Sequence, residues 1–369
     1  MKVTLVIYAL EGGGAERVMS TLANYCATHG FDTTLIVLGD AKRIPFYPLV
    51  SEVRLQPLGI IGDSPGVLTL LRSGLQRMKI LRAAIIASEP EVVVSFLSIV
   101  NVLTILCCWN TRIPVIVSER IYPSFIDVNR LWQLMMSWTY RQADLIVLLT
   151  QNALPFYPPE RGYKAMVIPN PILEPSSLTL PGILFPQPTL IAVGRLHPQK
   201  GFDVLLRAFQ QLQPKYPEWH LTILGEGPIR AELEELRSTL QLTDCVHLPG
   251  QVTNIHAHLR QAEIFVMSSR FEGFPNALGE AMACGLPVVS TDCLSGPSDI
   301  ILPDVDGILV PVEDVAALVA ALDSLMANPL KRQQLAQAAP QVLERFGLDR
   351  VMGIWMDTIK SVAANAHSS

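Results

Sequence analysis

The 369-residue chain is predicted to be an α/β protein of two doubly wound, Rossmann-like domains in tandem. Three observations carry that expectation. In the N-terminal half, short β-branched apolar runs alternate with longer helical stretches, the pattern of a parallel sheet covered on both faces. Around residues 155–188 the alternation stops and prolines accumulate. Beyond them the alternation restarts and runs to the C-terminus. At roughly 150 residues per domain the length accommodates two such units. Sheets of this kind bind ligands at the carboxyl ends of their strands, so the expected site is a central cleft faced by both domains.

The elements follow in order. Residues 3–9 form an apolar strand that leads into Gly12-Gly13-Gly14, and residues 15–29 carry Val18, Leu22 and Cys26 at helical spacing. Residues 33–38, 92–97, 115–118 and 145–149 continue the sheet. The stretch 92–109 holds no charged residue over 18 positions, the lower edge of a membrane-spanning length. Its Ser95, Ser98, Asn101 and Thr104 divide it into a strand and a helix over 101–108. The opening run 1–10 is followed by Glu11 and three glycines, not by a small-residue cleavage site, so it reads as a strand and not a signal peptide. Eight prolines between 155 and 187, with Pro188 at the edge, mark a linker, because proline fixes φ and removes a donor. This predicts a first domain over 1–175, a linker over 155–188 and a second domain over 186–345. A last helix over 346–369 is expected to cross back to the first domain.

In the second domain, residues 189–193 form a strand ending at Gly194, followed by a helix over 202–212. Residues 219–224 end at Gly225-Glu226-Gly227 and lead into a helix over 229–240. Further strands are expected at 246–248, 264–267, 288–290 and 308–309, with helices at 312–327 and 329–343.

Composition excludes several classes. Half of the residues are hydrophobic and 17% are charged, which rules out disorder through low hydrophobicity. The net charge of −5 is uneven: residues 1–175 hold 15 Lys+Arg against 13 Asp+Glu, and the remainder 13 against 20. Neither half has the basic stripe of a nucleic-acid binder. The six cysteines show no CxxC spacing and the histidines no HExxH, so no metal and no cofactor are expected.

The chemistry concentrates at strand ends. Glu272 and Glu280 stand eight residues apart within Phe271-Glu272-Gly273-Phe274-Pro275-Asn276-Ala277-Leu278-Gly279-Glu280. Asn276 is a good N-cap for a helix over 277–284, which predicts Glu280 in the first turn and Glu272 on the preceding loop. A helix N-terminus favours anions, and carboxylates beside it can hold vicinal hydroxyls. Alone, the pair reads equally as two surface glutamates. Gly194-Arg195 and Lys200 add two cations suited to a diphosphate, Arg195 by its fork and Lys200 as a point charge.

With these motifs in fixed order, the chain resembles the retaining glycosyltransferases of GT-B fold, family GT4. The resemblance spans nearly the whole chain and is densest over 190–310. It implies that Arg195 and Lys200 bind the donor diphosphate, Glu280 the ribose, and Glu272 the transferred sugar. Gly194, Glu226 and the backbone of Gly273, Phe274, Pro275 and Asn276 would complete the donor site, and Gly13 and Gly14 would approach the phosphates. It implies front-face displacement in which the leaving diphosphate helps deprotonate the acceptor. Ser118-Glu119-Arg120 is similar to a Ser-Glu-His or Ser-Glu-Arg element of relatives acting on polyprenyl-diphosphate sugars. Glu119 and Arg120 are thus implied acceptor or sugar contacts, though they also read as a surface ion pair. Arg120 stays protonated and is excluded as a general base.

The partners implied are a nucleoside-diphosphate sugar, UDP before GDP, and a glycan or lipid-linked acceptor, with no nucleic acid. Residues 64–88 contain four basic and no acidic residues, with Leu68, Leu71, Leu75, Met78, Leu81 and Ile85 at helical spacing. Residues 131–138 are rich in large apolar groups. Both predict docking on an anionic membrane surface from the cytoplasmic side, or else core packing. Other functional readings stay open: a catalytically silent scaffold, and a nucleotide-sugar epimerase or a sucrose-type synthase of the same fold. A dehydrogenase would need a third glycine where Arg17 stands, although Asp40 could serve its ribose.

Overall fold

The computed structural model describes residues 1–39, 44–60, 67–122, 130–175, 185 and 187–367, excluding the side chains of 67–73, 131 and 367. Asp40 and the start of the basic 64–88 segment lie outside these. The chain divides into two compact units, Met1–Asn170 with Val351–Ser369, and Pro171–Arg350.

The first unit contains β1 (Lys2–Ile7), α1 (Gly14–Thr28), β2 (Asp32–Val37), β3 (Arg54–Pro57), α2 (Val67–Ala87), β4 (Val92–Phe96), α3 (Ser98–Cys108), β5 (Val115–Ser118), α4 (Arg130–Tyr140), β6 (Leu145–Leu148) and β7 (Ala165–Val167). The strands form one parallel sheet in the order β3-β2-β1-β4-β5-β6-β7. Every residue of β4 and β5 is buried. Helices cover both faces of such strands, so the sequence shows apolar runs rather than alternation. The uncharged stretch after residue 92 splits at Leu97, whose φ of +79° turns β4 sharply into α3. No helix among the described residues is long and apolar enough to cross a membrane.

The second unit contains β8 (Thr189–Val193), α5 (Phe202–Leu212), β9 (His220–Leu224), α6 (Arg230–Thr239), β10 (Val246–Gly250), α7 (Ile255–Leu259), β11 (Ile264–Met267), α8 (Asn276–Ala283), β12 (Val288–Thr291), α9 (Pro297–Ile300), β13 (Ile308–Val310), α10 (Val315–Met326), α11 (Pro329–Ala338) and α12 (Val342–Phe346). Its parallel sheet runs β10-β9-β8-β11-β12-β13. Helix α5 buries Phe202, Leu205, Leu206, Phe209 and Leu212 in the core on one apolar stripe. Asp314 caps α10 through the Ala317 N–H at 2.9 Å, and Asn328 caps α11 through the Lys331 N–H at 3.1 Å.

The last helix, α13 (Leu348–His367), contains the boundary between the units, after Arg350. Within the first unit its Trp355 is fully buried against Phe96, with ring centroids 5.8 Å apart.

Each sheet reverses its strand order once, between β1 and β4 and between β8 and β11. Loops leaving those neighbouring strands diverge, opening a crevice at their carboxyl ends. Two strands were not foreseen. β3 is a four-residue edge strand, and β7 lies inside the proline-rich 155–188 window, paired to β6. Proline is tolerated beside an edge strand, so the cluster there does not end the sheet.

Candidate active site

The crevice of the second unit is built from backbone first. β8 and β9 run side by side, and the Gly194 N–H donates to Leu224 O at 3.0 Å. Beyond them the Leu196 N–H donates to Glu226 O at 2.9 Å, so the two loops remain zipped together. A Cβ at Gly225, where φ is +146°, would lie 1.9 Å from Gly194 O. A Cβ at Gly227 would lie 2.2 Å from Leu196 O. Only glycine fits such an approach.

Lys200 ends a short 3-10 turn over Pro198–Lys200, and its stem lies across Gly194, where an added Cβ would meet Lys200 Cε at 3.1 Å. Its Nζ is 2.6 Å from Glu272 Oε1, on the loop after β11. The Ser269 hydroxyl donates to that same Oε1 at 2.6 Å. Ser295 Oγ donates to the carbonyls of Glu272 and Gly273 at 2.6 and 2.9 Å, and Gly296 packs against Pro275. Phe274 is buried edge-on against Phe346, leaving backbone as what that segment offers a ligand.

The predicted residues are thus only partly brought together. Gly194, Lys200 and Glu272 meet directly, and Gly273–Asn276 continue from Glu272. Glu272 and Glu280 are both 5% exposed, which removes the reading as two surface glutamates. Asn276 is the first residue of α8 and not its cap; Pro275 holds the cap position without a side-chain hydrogen bond. Glu280 is therefore the fifth residue of the helix, just past its first turn. Ser295 and Gly296 pack against the loop that precedes the helix. Arg195 is exposed and makes no ion pair among the described residues. Glu226 is exposed and salt-bridged to Arg230 one turn along the chain. Ser269 was missed, since nothing in a serine's local sequence marks it as a partner for the carboxylate beside it.

In the first unit, Gly13 precedes α1 with no side-chain cap. A Cβ at Gly13 would lie 2.1 Å from Glu16 Oε2, so the Glu16 carboxylate folds back over the start of α1, where the helix dipole favours it. Glu119 and Arg120 follow β5 and are both buried, at 2% and 8% exposure, so they are not a surface ion pair. Glu119 accepts from Ser98 Oγ at 2.8 Å, from Asn101 Nδ2 at 3.3 Å and from the Tyr140 hydroxyl. Burial nevertheless raises its pKa above the ordinary carboxylate value, outweighing those donors. Arg120 stacks on Phe96 at 3.6 Å from the ring centroid and donates through Nη1 to Asn170 Oδ1 at 2.7 Å. Its Nε and Nη2 have no hydrogen-bond partner among the described residues. Burial lowers its pKa to about 9, against the pull of Glu119, so it is a cation at neutral pH.

The two segments predicted to meet a membrane each divide into a buried and an exposed face. On α2, Leu81, Ala84 and Ile85 are buried in the first unit's core, whereas Leu75, Ile80 and Ile86 are exposed. On α4, Met136 and Tyr140 are buried, and Leu134 and Trp138 are exposed. Trp138 stacks on the partly exposed Trp109 at 4.8 Å. Among the described residues, no three His, Cys, Asp or Glu side chains converge as a metal-ligand set.

Comparison with known proteins agrees with this architecture. The model "Glycosyltransferase Family 4" matches residues 12–172, and "Glycosyl transferases group 1" matches 183–342. An uncharacterized glycosyltransferase of Haemophilus influenzae is 26% identical over 351 residues, covering 94% of this chain and 96% of that one. An α-1,4-N-acetyl-D-galactosaminyltransferase of Campylobacter jejuni, named for an undecaprenyl-diphosphate-linked glycan, is 26% identical over 98% of this chain and 99% of its own. Among solved structures, sucrose-phosphate synthase of Thermosynechococcus elongatus superposes with a TM-score of 0.81 at 19% identity, over 99% of each chain. HepE of Anabaena, solved with UDP-glucose, superposes with a TM-score of 0.78 at 18% identity, over 98% of this chain and all of that one. With two family models spanning most of its length and full-length structural likeness, the chain belongs to glycosyltransferase family 4 and has the GT-B fold.

Proposed function

We propose that this glycosyltransferase is retaining and metal-independent. In this reading it moves a hexose or N-acetylhexosamine from a UDP-sugar to a polyprenyl-diphosphate-linked glycan in cell-surface polysaccharide or glycoconjugate synthesis. The observation that carries the reading is the Lys200–Glu272 pair at 2.6 Å, set on the glycine floor of Gly194 and Gly225. A cation on a floor without side chains suits a diphosphate, and a buried carboxylate beside it suits sugar hydroxyls. The Campylobacter relative's name and the UDP complexes of HepE favour the acceptor and the nucleotide.

The second unit is the donor-binding domain and the first the acceptor-binding domain. Lys200 and Arg195 stabilise the leaving diphosphate, Glu280 holds the ribose, and Glu272 with the Gly273–Asn276 backbone holds the transferred sugar. Gly194 and Glu226 line the same crevice. Gly13 and Gly14 offer backbone donors to phosphate. Glu119 and Arg120 contact acceptor or sugar. In the step itself, the bond from sugar C1 to the diphosphate oxygen breaks and the acceptor hydroxyl attacks from the same face. Its proton passes to the departing oxygen, so the anomeric configuration is kept without a protein nucleophile. Catalysis is then positioning plus stabilisation of leaving-group charge. The exposed faces of α2 and α4 dock on anionic lipid at the inner membrane face.

A thermal-shift panel with UDP, GDP, ADP, dTDP and NAD, each with and without EDTA, tests the donor site. A ligand at about 100 times its Kd stabilises by roughly 2.7 kcal/mol. A shift with UDP that survives EDTA is expected; a shift with NAD alone would overturn the reading. Retention is tested by NMR of the product's anomeric coupling, and docking by co-sedimentation with anionic vesicles at low salt.

A further inference from the structure

Behind the Lys200–Glu272 pair lies an arginine that no motif singled out. Arg270 stands two residues before Glu272, and Asp203 three residues after Lys200. Arg270 Nη1 and Nη2 donate to Asp203 Oδ1 and Oδ2 at 3.0 and 2.9 Å, a bidentate fork. Nη1 also reaches Pro198 O at 2.5 Å, and Nε donates to Glu313 Oε1 at 2.6 Å. The backbone follows the same line: the Arg270 N–H donates to Gln199 O at 2.8 Å, and Gln199 Nε2 donates to Phe271 O at 2.9 Å.

We propose that Arg270, locked to Asp203, is a positioning residue that sets the Lys200–Glu272 geometry by clamping the Pro198–Lys200 turn to the loop bearing Glu272. The two loops leave different strands, β8 and β11, at the point where the sheet reverses. Without a cross-tie the ammonium and the carboxylate would ride on separate loops. The fork removes that freedom, because a planar guanidinium bound through both nitrogens fixes orientation as well as distance. Burial alone would raise the pKa of Asp203, yet Arg270 holds it below its ordinary value. The clamp therefore stays ionised at neutral pH. Lysine would keep the charge and lose the fork.

The proposal rests on reading Lys200 and Glu272 as donor-site residues, so its test has one readout that needs no ligand. The variants Arg270→Ala, Arg270→Lys and Asp203→Asn are labelled with a small N-hydroxysuccinimide ester. Mass spectrometry follows the rate at Lys200 against Lys215 and Lys331 of the same unit, and calorimetry measures UDP binding. Arg270→Ala and Asp203→Asn are expected to raise the relative reactivity of Lys200, and to weaken UDP, by about tenfold or more, the scale on which small misplacements act. Arg270→Lys should fall between them and wild type. Unchanged relative reactivity at Lys200 in the folded variants overturns the clamp, as does equal acceleration of all three lysines, which marks general loosening. If wild type does not bind UDP, the donor-site reading fails, while the Lys200 labelling still decides the clamp.

Discussion

The two units keep charge in opposite ways. At the crevice of the second unit the buried Glu272 carboxylate meets Lys200 and the Ser269 hydroxyl, and its loop carbonyls meet Ser295. At the end of β5 in the first unit, Arg120 is buried with two of its three nitrogens unpartnered, and the neutral donors around Glu119 do not offset its burial, which raises its pKa. Satisfied polar clusters are rigid; unsatisfied buried cations cost stability and are retained where something other than stability selects them. The contrast separates a preorganised crevice from a strained one.

The largest test of that contrast is Lys200→Ala. If the crevice works by stabilising a leaving diphosphate, turnover of a UDP-sugar should fall by about 10²–10³-fold, the scale seen when one preorganised charge-stabilising group is lost. Circular dichroism should show an intact fold, since Lys200 is a partly exposed residue. Near-normal turnover would remove Lys200 from the chemistry. The floor is tested next by Gly225→Ala. The strained φ and the approach of Gly194 O should cost on the order of 3 kcal/mol, read as a fall in the midpoint of thermal unfolding. An unchanged midpoint would show that the two loops separate freely.

For the first unit the expected sign reverses. Arg120→Met replaces a buried, half-satisfied cation with an apolar side chain of similar length. Its stability should hold or rise by about 1 kcal/mol, while transfer to acceptor falls. A loss of several kcal/mol in chemical denaturation would mean that stacking on Phe96 and the bond to Asn170 outweigh the desolvation, and that the strained-crevice reading is wrong.

How much was legible in the sequence follows the same division. Gly194, Lys200 and Glu272, which the structure brings together, are written locally, because a glycine-ended strand followed by a charged loop needs only a few consecutive residues to declare itself. The alternation of apolar runs likewise declared nearly every strand of both sheets. What could not be read arises from chain segments far apart. Glu119 and Arg120 look like surface charges until Phe96, Tyr140, Asn170 and Trp355 arrive from four other places and bury them. Asn276 looks like a cap, yet Pro275 takes the cap position and Asn276 is the first residue of α8. β7 is three residues among prolines, too short for any periodicity, and exists because β6 offers it an edge.

The finest distinction concerns proton linkage at Glu119. Burial raises its pKa in the fold, so above the ordinary carboxylate value the native state holds a proton that the unfolded chain has released. Stability must then fall as pH rises from that ordinary value through the raised one, and be free of the penalty below both. Glu119→Gln removes the titration while preserving the hydrogen bonds. The amide oxygen can still accept from Asn101 and Tyr140, and its nitrogen can donate to the Ser98 hydroxyl, which is able to accept. The variant should match wild type near pH 4 and become progressively the more stable of the two toward pH 8, as followed by thermal unfolding across that range. A difference constant with pH would show that the Tyr140, Ser98 and Asn101 donors fully compensate the charge, making the first unit's site as satisfied as the second's.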